Sequence, residues 1–415
     1  MITAVKGTQD LLFPEVRRWQ QLEAAARGLF ERYGFGEIRT PLLEPTELFV
    51  RGIGDETDIV AKEMYTFQDR KGRSLTLRPE NTAGVARAVV EHRLHDSPQH
   101  ARLYYIGPQF RYERPQKGRY RQFHQMGIEI LGEGAPGADA EGIAVAVDLL
   151  DAAGIPAATV QLNSVGCAEC RPPYVALLKA SLAPRVSELC GDCRRRLETN
   201  PLRTLDCKVP SCQPVLDAAP RLDEGLCAAC ADHHRAVREI LDLLRISYRV
   251  RPRMVRGLDY YVRTVFEVTS EALGAQDALV GGGRYDGLLR ALGGPDAAGF
   301  GWALGMERLL MAMPPLPGER LPRVYLAWSG AGTYARVLLL ARELRAMGVA
   351  VLVEHQERSF KSALKRADRL NARWALLVGE EELESELYTL KDLASGGQQA
   401  LAAADVAARV REEAP

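Results

Sequence analysis

The stretch RYERPQKGRYRQFHQMGIEI, residues 111–130, decides how the chain is read. Its first eleven positions hold five cations and one acid, and the remainder alternates along its length. A period of two predicts a strand with Phe123, Gln125, Gly127 and Glu129 on one face and His124, Met126, Ile128 and Ile130 on the other. The second set is core-like. The first places an amide and a carboxylate roughly 13 Å apart along the strand, with Gly127 leaving room for a small molecule to lie on the sheet. The preceding PQKGR predicts a hairpin connection that holds Arg114, Lys117, Arg119 and Arg121 near this floor. Guanidinium forks donate two parallel hydrogen bonds and therefore suit phosphate oxygens. A solvated charged hairpin above an ordinary strand is the plainer reading of the same residues.

Three other stretches favour a site. SLTLRPENTAGVARAVVEH reads as a strand, Ser74 to Leu77, leading into a helix with Asn81 and Thr82 as caps. Glu80 at the junction is placed to receive an ammonium group or to complement the helix dipole. AGFGWALGMERLLMAM is a second strand-to-helix unit in which Gly299, Gly301 and Gly305 clear one surface and Arg308 follows in the next turn. MVRGLDYYVRTVFEV brings Arg256, Tyr260 and Tyr261 to the start of an aromatic, β-branched strand. VGGGRYDGLLRALGG marks a bend or close backbone approach at Gly281 to Gly283. It is not GxGxxG, and no Walker lysine motif occurs, so a nucleotide site here is neither Rossmann nor P-loop.

The 415 residues exceed one ordinary core and predict several domains. MAMPPLPGERLPR, residues 311–323, contains four prolines and reads as a linker, placed at 314–321. Beyond it, strands in VYLAW, VAVLVE and WALLVG alternate with helical patterns and predict a mostly parallel α/β domain over 322–415. A Cys-rich insertion, 166–246, interrupts a domain of mixed strands and helices built from 1–165 plus 247–313. With 54 basic and 54 acidic side chains, a polyanion must be met by local clusters rather than by net charge. One such cluster comprises Arg358, Lys361, Lys365, Arg366, Arg369 and Arg373, against Glu357 and Asp368. Neither a signal-peptide pattern nor a bilayer-length apolar run is present, and the expected location is the cytoplasm, without membrane partners.

All eight cysteines fall in the insertion, as Cys167/Cys170, Cys190/Cys193, Cys207/Cys212 and Cys227/Cys230. Three of these pairs have CxxC spacing, which presents two thiolates to one tetrahedral ion. Two readings stay open: free thiols, or two structural zinc sites of four thiolates each that fasten an insertion with few apolar residues of its own.

These residues carry a resemblance. YGFGEIRTPLLEPTELF, with Pro41, is similar to motif 1 of the class II aminoacyl-tRNA synthetases, YYIGPQFRYERPQKGRYRQFHQMGIEI resembles motif 2, and GWALGMERL resembles motif 3. VRGLDYY and GGGRYDGL are similar to the two signatures that distinguish the histidyl-tRNA synthetase family, and the likeness runs from KGTQDLL near the start into the C-terminal domain.

The resemblance implies an α+β catalytic domain with an antiparallel sheet, a small insertion domain and a C-terminal anticodon-binding α/β domain. It implies a homodimer built on motif 1, with L-histidine, ATP carrying Mg2+, and tRNA(His) as partners. Counterparts of Glu80, Asn81, Thr82, Arg111, Gln125, Glu129, Arg256, Tyr260 and Tyr261 serve histidine, and those of Arg111, Glu113, Arg119, Phe123 and Arg308 serve ATP. Arg256 and Arg111 are the expected catalytic pair, acting on the α-phosphate, and Phe123 the expected adenine stack. A non-catalytic regulatory paralogue of ATP phosphoribosyltransferase is the alternative. Such relatives typically lack the C-terminal domain and have eroded motifs, whereas this chain keeps Arg111, Arg256, Arg308 and residues 322–415.

Overall fold

The computed structural model describes all residues except 55–56, 97–101, 156–157, 271–277, 315–322 and 413–415. It divides into two compact units, Met1–Pro314 and Pro315–Pro415. The predicted linker therefore lies, beyond Pro314, outside the described residues.

The first unit is organised by an eight-stranded sheet in the order Gly36–Glu37, Arg102–Phe110, Gln122–Leu131, Gly299–Gly305, Ala278–Arg284, Val262–Thr269, Thr159–Ser164 and Tyr248–Val250. The outermost pairing at each edge is parallel, and every interior pairing is antiparallel. Register decides which residues share a face. Gln125, Gly127 and Glu129 stand opposite Gly305, Ala303 and Gly301, and Ala303 stands opposite Gly281, itself opposite Glu267. This face is almost bare of bulk. The reverse face carries Met126, Ile128, Ile130, Phe300, Trp302, Leu304, Phe266 and Val268, all buried in one apolar cluster. Helices Glu15–Arg32, Pro136–Ala152 and Ala228–Leu243 bring Leu22, Phe30, Leu149, Leu150, Val237 and Leu241 into that cluster. The split expected from alternation in 122–131 is realised in part: one face builds the core, and on the other Gln125 borders an open floor. The Tyr105 ring covers Gly127 and Glu129 is buried, so the room for a small molecule lies over Gly301, Ala303 and Gly305 and not over Gly127.

Of the two readings of GGGRYDGL, close approach holds: a Cβ on Gly282 or Gly283 would collide with the backbone of Gly301 or Thr264. Gly281 to Gly283 pair on both sides within the strand Ala278–Arg284, with a register shift after Gly283. Arg284 at its end is wholly buried and forms an ion pair with equally buried Asp139, joined by His233 Nε2 at 2.8 Å from Asp139. A charged pair without solvent needs such a third partner to satisfy the remaining lone pairs.

The insertion has more apolar content than its sequence promised. Tyr174, Leu178, Leu182, Leu189, Leu197, Leu216 and Leu222 pack with Val255, Tyr261 and Val265 from the segment that follows it. Its last helix, Ala228–Leu243, instead faces the sheet core through Val237 and Leu241.

In the second unit, Arg323–Trp328 pairs in parallel with Ala350–Val353 and with Trp374–Val378. Helices Thr333–Ala346 and Phe360–Arg369 connect them, as expected. Two further antiparallel strands, Tyr388–Asp392 and Gln398–Leu401, extend the sheet, so it is mixed rather than mostly parallel.

Candidate active site

A cavity of about 430 Å³ opens on the bare face of the large sheet. Its floor is Gln125, Gly281, Gly301, Ala303 and Gly305, and its walls carry Glu80, Thr82, Arg111, Glu113, Arg119, Phe123, Arg256, Tyr260, Tyr261 and Arg308. The expected site residues thus meet in one place, with two exceptions.

Asn81 is turned into the protein, where its Oδ1 accepts from Thr40 Oγ1 at 2.7 Å and Arg78 Nη1 at 2.9 Å. It makes no side-chain cap. That role falls to Glu80, whose carboxylate accepts from the backbone N–H of Thr82 at 2.8 Å and of Ala83 at 2.9 Å. Glu80 therefore caps helix Thr82–Glu91 and lines the cavity at once. Glu129 lies beyond the cavity end, 1% exposed, with its carboxyl held by the hydroxyl of Tyr285, which does line the cavity. Burial raises the Glu129 pKa to about 8, against a partial lowering by the Tyr285 hydroxyl. Its Oε1 has no hydrogen-bond partner, and the same holds for Gln125 Oε1 and Arg256 Nε. Buried polar atoms without partners are costly to keep, and a ligand in the adjoining cavity would supply partners for these three.

The arginines are placed by distinct local means. Arg111 donates from Nε to the Pro79 carbonyl at 2.8 Å and lies over the Phe123 ring, 5.2 Å from its centroid. Arg119 pairs with Glu113 at 2.8 Å across the hairpin closed by Gln116 and Arg119. Arg256 forms an ion pair with Glu267 and crosses the sheet directly over Gly281, where a Cβ would collide with its guanidinium. Arg308 reaches the carbonyls of Gly118 at 3.4 Å and Ala278 at 3.3 Å. Burial, and then the charges of Arg119 and Arg111, hold Arg308 below the usual arginine range. Arg119 and Arg256 thus hold carboxylate partners already, Glu113 and Glu267, which fix their guanidinium groups at the cavity wall.

Not all loop cations converge. Arg114 and Lys117 are exposed and line no part of the cavity, because the tight turn points its tip outward. Arg121 donates to the carbonyls of Glu113 and Lys6 and stacks on Tyr112 at 4.0 Å. Sequence reasoning missed Glu267, Tyr285, Tyr120 and Arg203, which also line the cavity. Glu267 was recoverable in principle, since it shares a face with Val265 in the strand after Arg256. Arg203 comes from the insertion and carried no local signal.

A six-residue cation set was expected on the helix of the second unit. Arg358 and Arg366 instead turn to Glu354, at 3.0 and 3.3 Å, and Arg373 pairs with Asp392. Lys361, Lys365 and Arg369 remain exposed on helix Phe360–Arg369.

A largely antiparallel sheet with a small-residue floor beneath clustered arginines fits the class II aminoacyl-tRNA synthetases, to which the family model and the solved structure below assign this fold. Residues 7–309 match the family model described as histidyl-tRNA synthetase, and residues 329–413 that of an anticodon binding domain. The chain belongs to the histidyl-tRNA synthetase family. It is 49% identical to Histidine–tRNA ligase of Koribacter versatilis, covering 99% of this chain and 96% of the relative. To Histidine–tRNA ligase of Desulforudis audaxviator it is 50% identical, covering 100% and 99%. The crystal structure of apo Staphylococcus aureus histidyl-tRNA synthetase superposes with a TM-score of 0.83 at 34% identity, covering 99% of this chain and 100% of that one. Among the described residues, no helix is long and apolar enough to cross a membrane.

Proposed function

We propose that the protein activates L-histidine with ATP and transfers the histidyl group to tRNA(His). The observation that carries this reading is one cavity in which acidic and amide groups share a small-residue floor with five arginines. In the first step the histidine carboxylate attacks the α-phosphorus, the bond to the bridging oxygen breaks, and pyrophosphate leaves. No protein nucleophile is needed. Alignment and positive charge on the phosphoryl oxygens supply the catalysis. Arg256 and Arg111 act at the α-phosphate, while Arg119, beside Glu113, and Arg308 hold the outer phosphates. ATP enters with Mg2+ as part of the substrate. Adenine stacks on the face of Phe123 away from Arg111.

Glu80 and Gln125 receive the ammonium end of histidine, with Thr82 beside them. Tyr260 and Tyr261 flank the ring, and Glu129 acts at the imidazole end together with Tyr285. Hydrogen bonds to ring nitrogens let such a pocket reject analogues that lack them. The second step passes the acyl group to the terminal ribose of the tRNA, whose anticodon meets the second unit. Family membership supports that assignment, as do the exposed Lys361, Lys365 and Arg369.

A homodimer is part of the proposal. It is supported by apolar side chains left exposed in and near the motif 1-like stretch, namely Leu42, Leu43 and Val50. A cytoplasmic location suits eight cysteines that form no disulfide. The regulatory-paralogue alternative is not favoured, because relatives named Histidine–tRNA ligase match at about half identity over nearly the full chain.

The test is histidine-dependent exchange of labelled pyrophosphate into ATP. The unmodified protein should exchange, and Arg256→Ala should lose on the order of 10²- to 10³-fold in kcat. Absence of exchange in the unmodified protein would return the regulatory alternative.

A further inference from the structure

The proposed reaction leaves the cysteines unused, yet the fold collects them into two compact groups. They gather as Cys167, Cys170, Cys227 and Cys230, and as Cys190, Cys193, Cys207 and Cys212, with all sulfurs of each group within 4.8 Å of one another. Spacing alone could not say which pairs join. The fold brings the first pair to the fourth and the second to the third.

Sulfur separations are 3.8 Å for Cys167 to Cys170, 3.8 Å for Cys167 to Cys227, 3.9 Å for Cys170 to Cys230 and 3.9 Å for Cys190 to Cys207. A disulfide would require about 2.0 Å. Four sulfurs at about 2.3 Å from a tetrahedral ion stand about 3.8 Å apart. Backbone N–H groups point at the sulfurs: Cys167 to Cys170 Sγ at 3.2 Å, Cys190 to Cys212 Sγ at 3.1 Å and Val209 to Cys207 Sγ at 3.4 Å. Such donors stabilise thiolates and orient them as ligands. An all-sulfur tetrahedral set selects zinc over hard cations such as magnesium and calcium.

We propose that each group binds one Zn2+ through four thiolates, displacing up to four thiol protons per ion, and that the two ions brace one wall of the candidate active site. The bracing is direct. Cys170 precedes helix Arg171–Leu182, and Arg171 donates to the carbonyls of Val165 and Tyr261. The second group flanks helix Gly191–Thr199 and the turn Pro201–Asp206. From these, Asn200 donates to Asp259 at 2.9 Å, and Arg196 and Arg203 approach Asp58 at 3.6 Å. Both groups therefore hold the segment Arg256–Tyr261. The zinc assignment stands apart from the proposed reaction, whereas the bracing rests on it.

Protein purified under reducing conditions should carry two zinc ions per chain by elemental analysis. Refilling with Co2+ should give the intense visible bands of tetrahedral thiolate coordination. Cys227→Ser with Cys230→Ser should leave one ion, and so should Cys207→Ser with Cys212→Ser. Should either variant fail to fold, mercurial titration of the unmodified chain into a chromogenic chelator gives the stoichiometry instead. A folded chain with eight freely titrating thiols and no transition metal, or with one ion only, overturns the two-site assignment. Metal removal should raise the KM for histidine in pyrophosphate exchange on the order of tenfold to a hundredfold, because the wall shifts relative to the floor. Two bound ions together with an unchanged KM after their removal would keep the sites and overturn the bracing.

Discussion

Replacing Glu129 by glutamine tests the placement of a carboxyl beneath the candidate site without touching its shape. Glu129 is 1% exposed, and burial raises its pKa from 4.5 to about 8. The folded protein therefore holds this proton across a window in which the unfolded chain has released it. Stability from the group is fully present below pH 4.5 and falls as pH climbs toward 8, where it levels off. At about 1.4 kcal/mol per pKa unit, the 3.5-unit window corresponds to at most about 5 kcal/mol. Glutamine keeps the volume and cannot ionise. Glu129→Gln should match the parent protein within about 1 kcal/mol at pH 5 and exceed it progressively toward pH 8.5. Denaturant unfolding of both proteins without ligands, followed by circular dichroism at several pH values, gives the difference curve. Every other titrating group is shared, so the difference isolates this one. Two parallel stability profiles between pH 5 and 8.5 would refute the reasoning. In pyrophosphate exchange the same variant should lose histidine affinity, since an amide, unlike a carboxyl, cannot release a proton to meet a ring N–H as a carboxylate.

Asp139→Asn removes the buried partner of Arg284 and leaves Asp286, at 3.0 Å, as its remaining carboxylate, and should destabilise the first unit by about 1.5–3 kcal/mol; a loss below about 1 kcal/mol in denaturant unfolding would show that the Asp286 pair alone satisfies the guanidinium. Gly281→Ala places a methyl group where the Arg256 guanidinium lies. It should lower kcat/KM on the order of a hundredfold with little change in melting temperature, and undiminished exchange would mean that Arg256 does not act from this position. Combined alanine substitution of Lys361, Lys365 and Arg369 should weaken tRNA binding and reduce its salt slope by about 2 to 3, measured by filter binding across salt concentrations. An unchanged slope would move the RNA contact to another face.

Local rules determined much of this protein from its sequence. Period-two alternation in residues 122–131 assigned Met126, Ile128 and Ile130 to the core, because a strand exposes alternate residues whatever it pairs with. Turn chemistry set the hairpin at Gln116 and Arg119, and thiol spacing announced pairs of candidate metal ligands. What the sequence could not determine depends on which distant segments are brought together. Register with Gly301 and Gly305 turned the Gln125 face into a floor, and a neighbouring strand put Gly281 under Arg256. The burial that drew Asn81 toward Thr40 and Arg78, pushed Glu129 below the cavity, and matched the first cysteine pair with the fourth acts between residues far apart in the chain. No periodicity within one segment encodes it, since burial and ion pairing are properties of the packed whole.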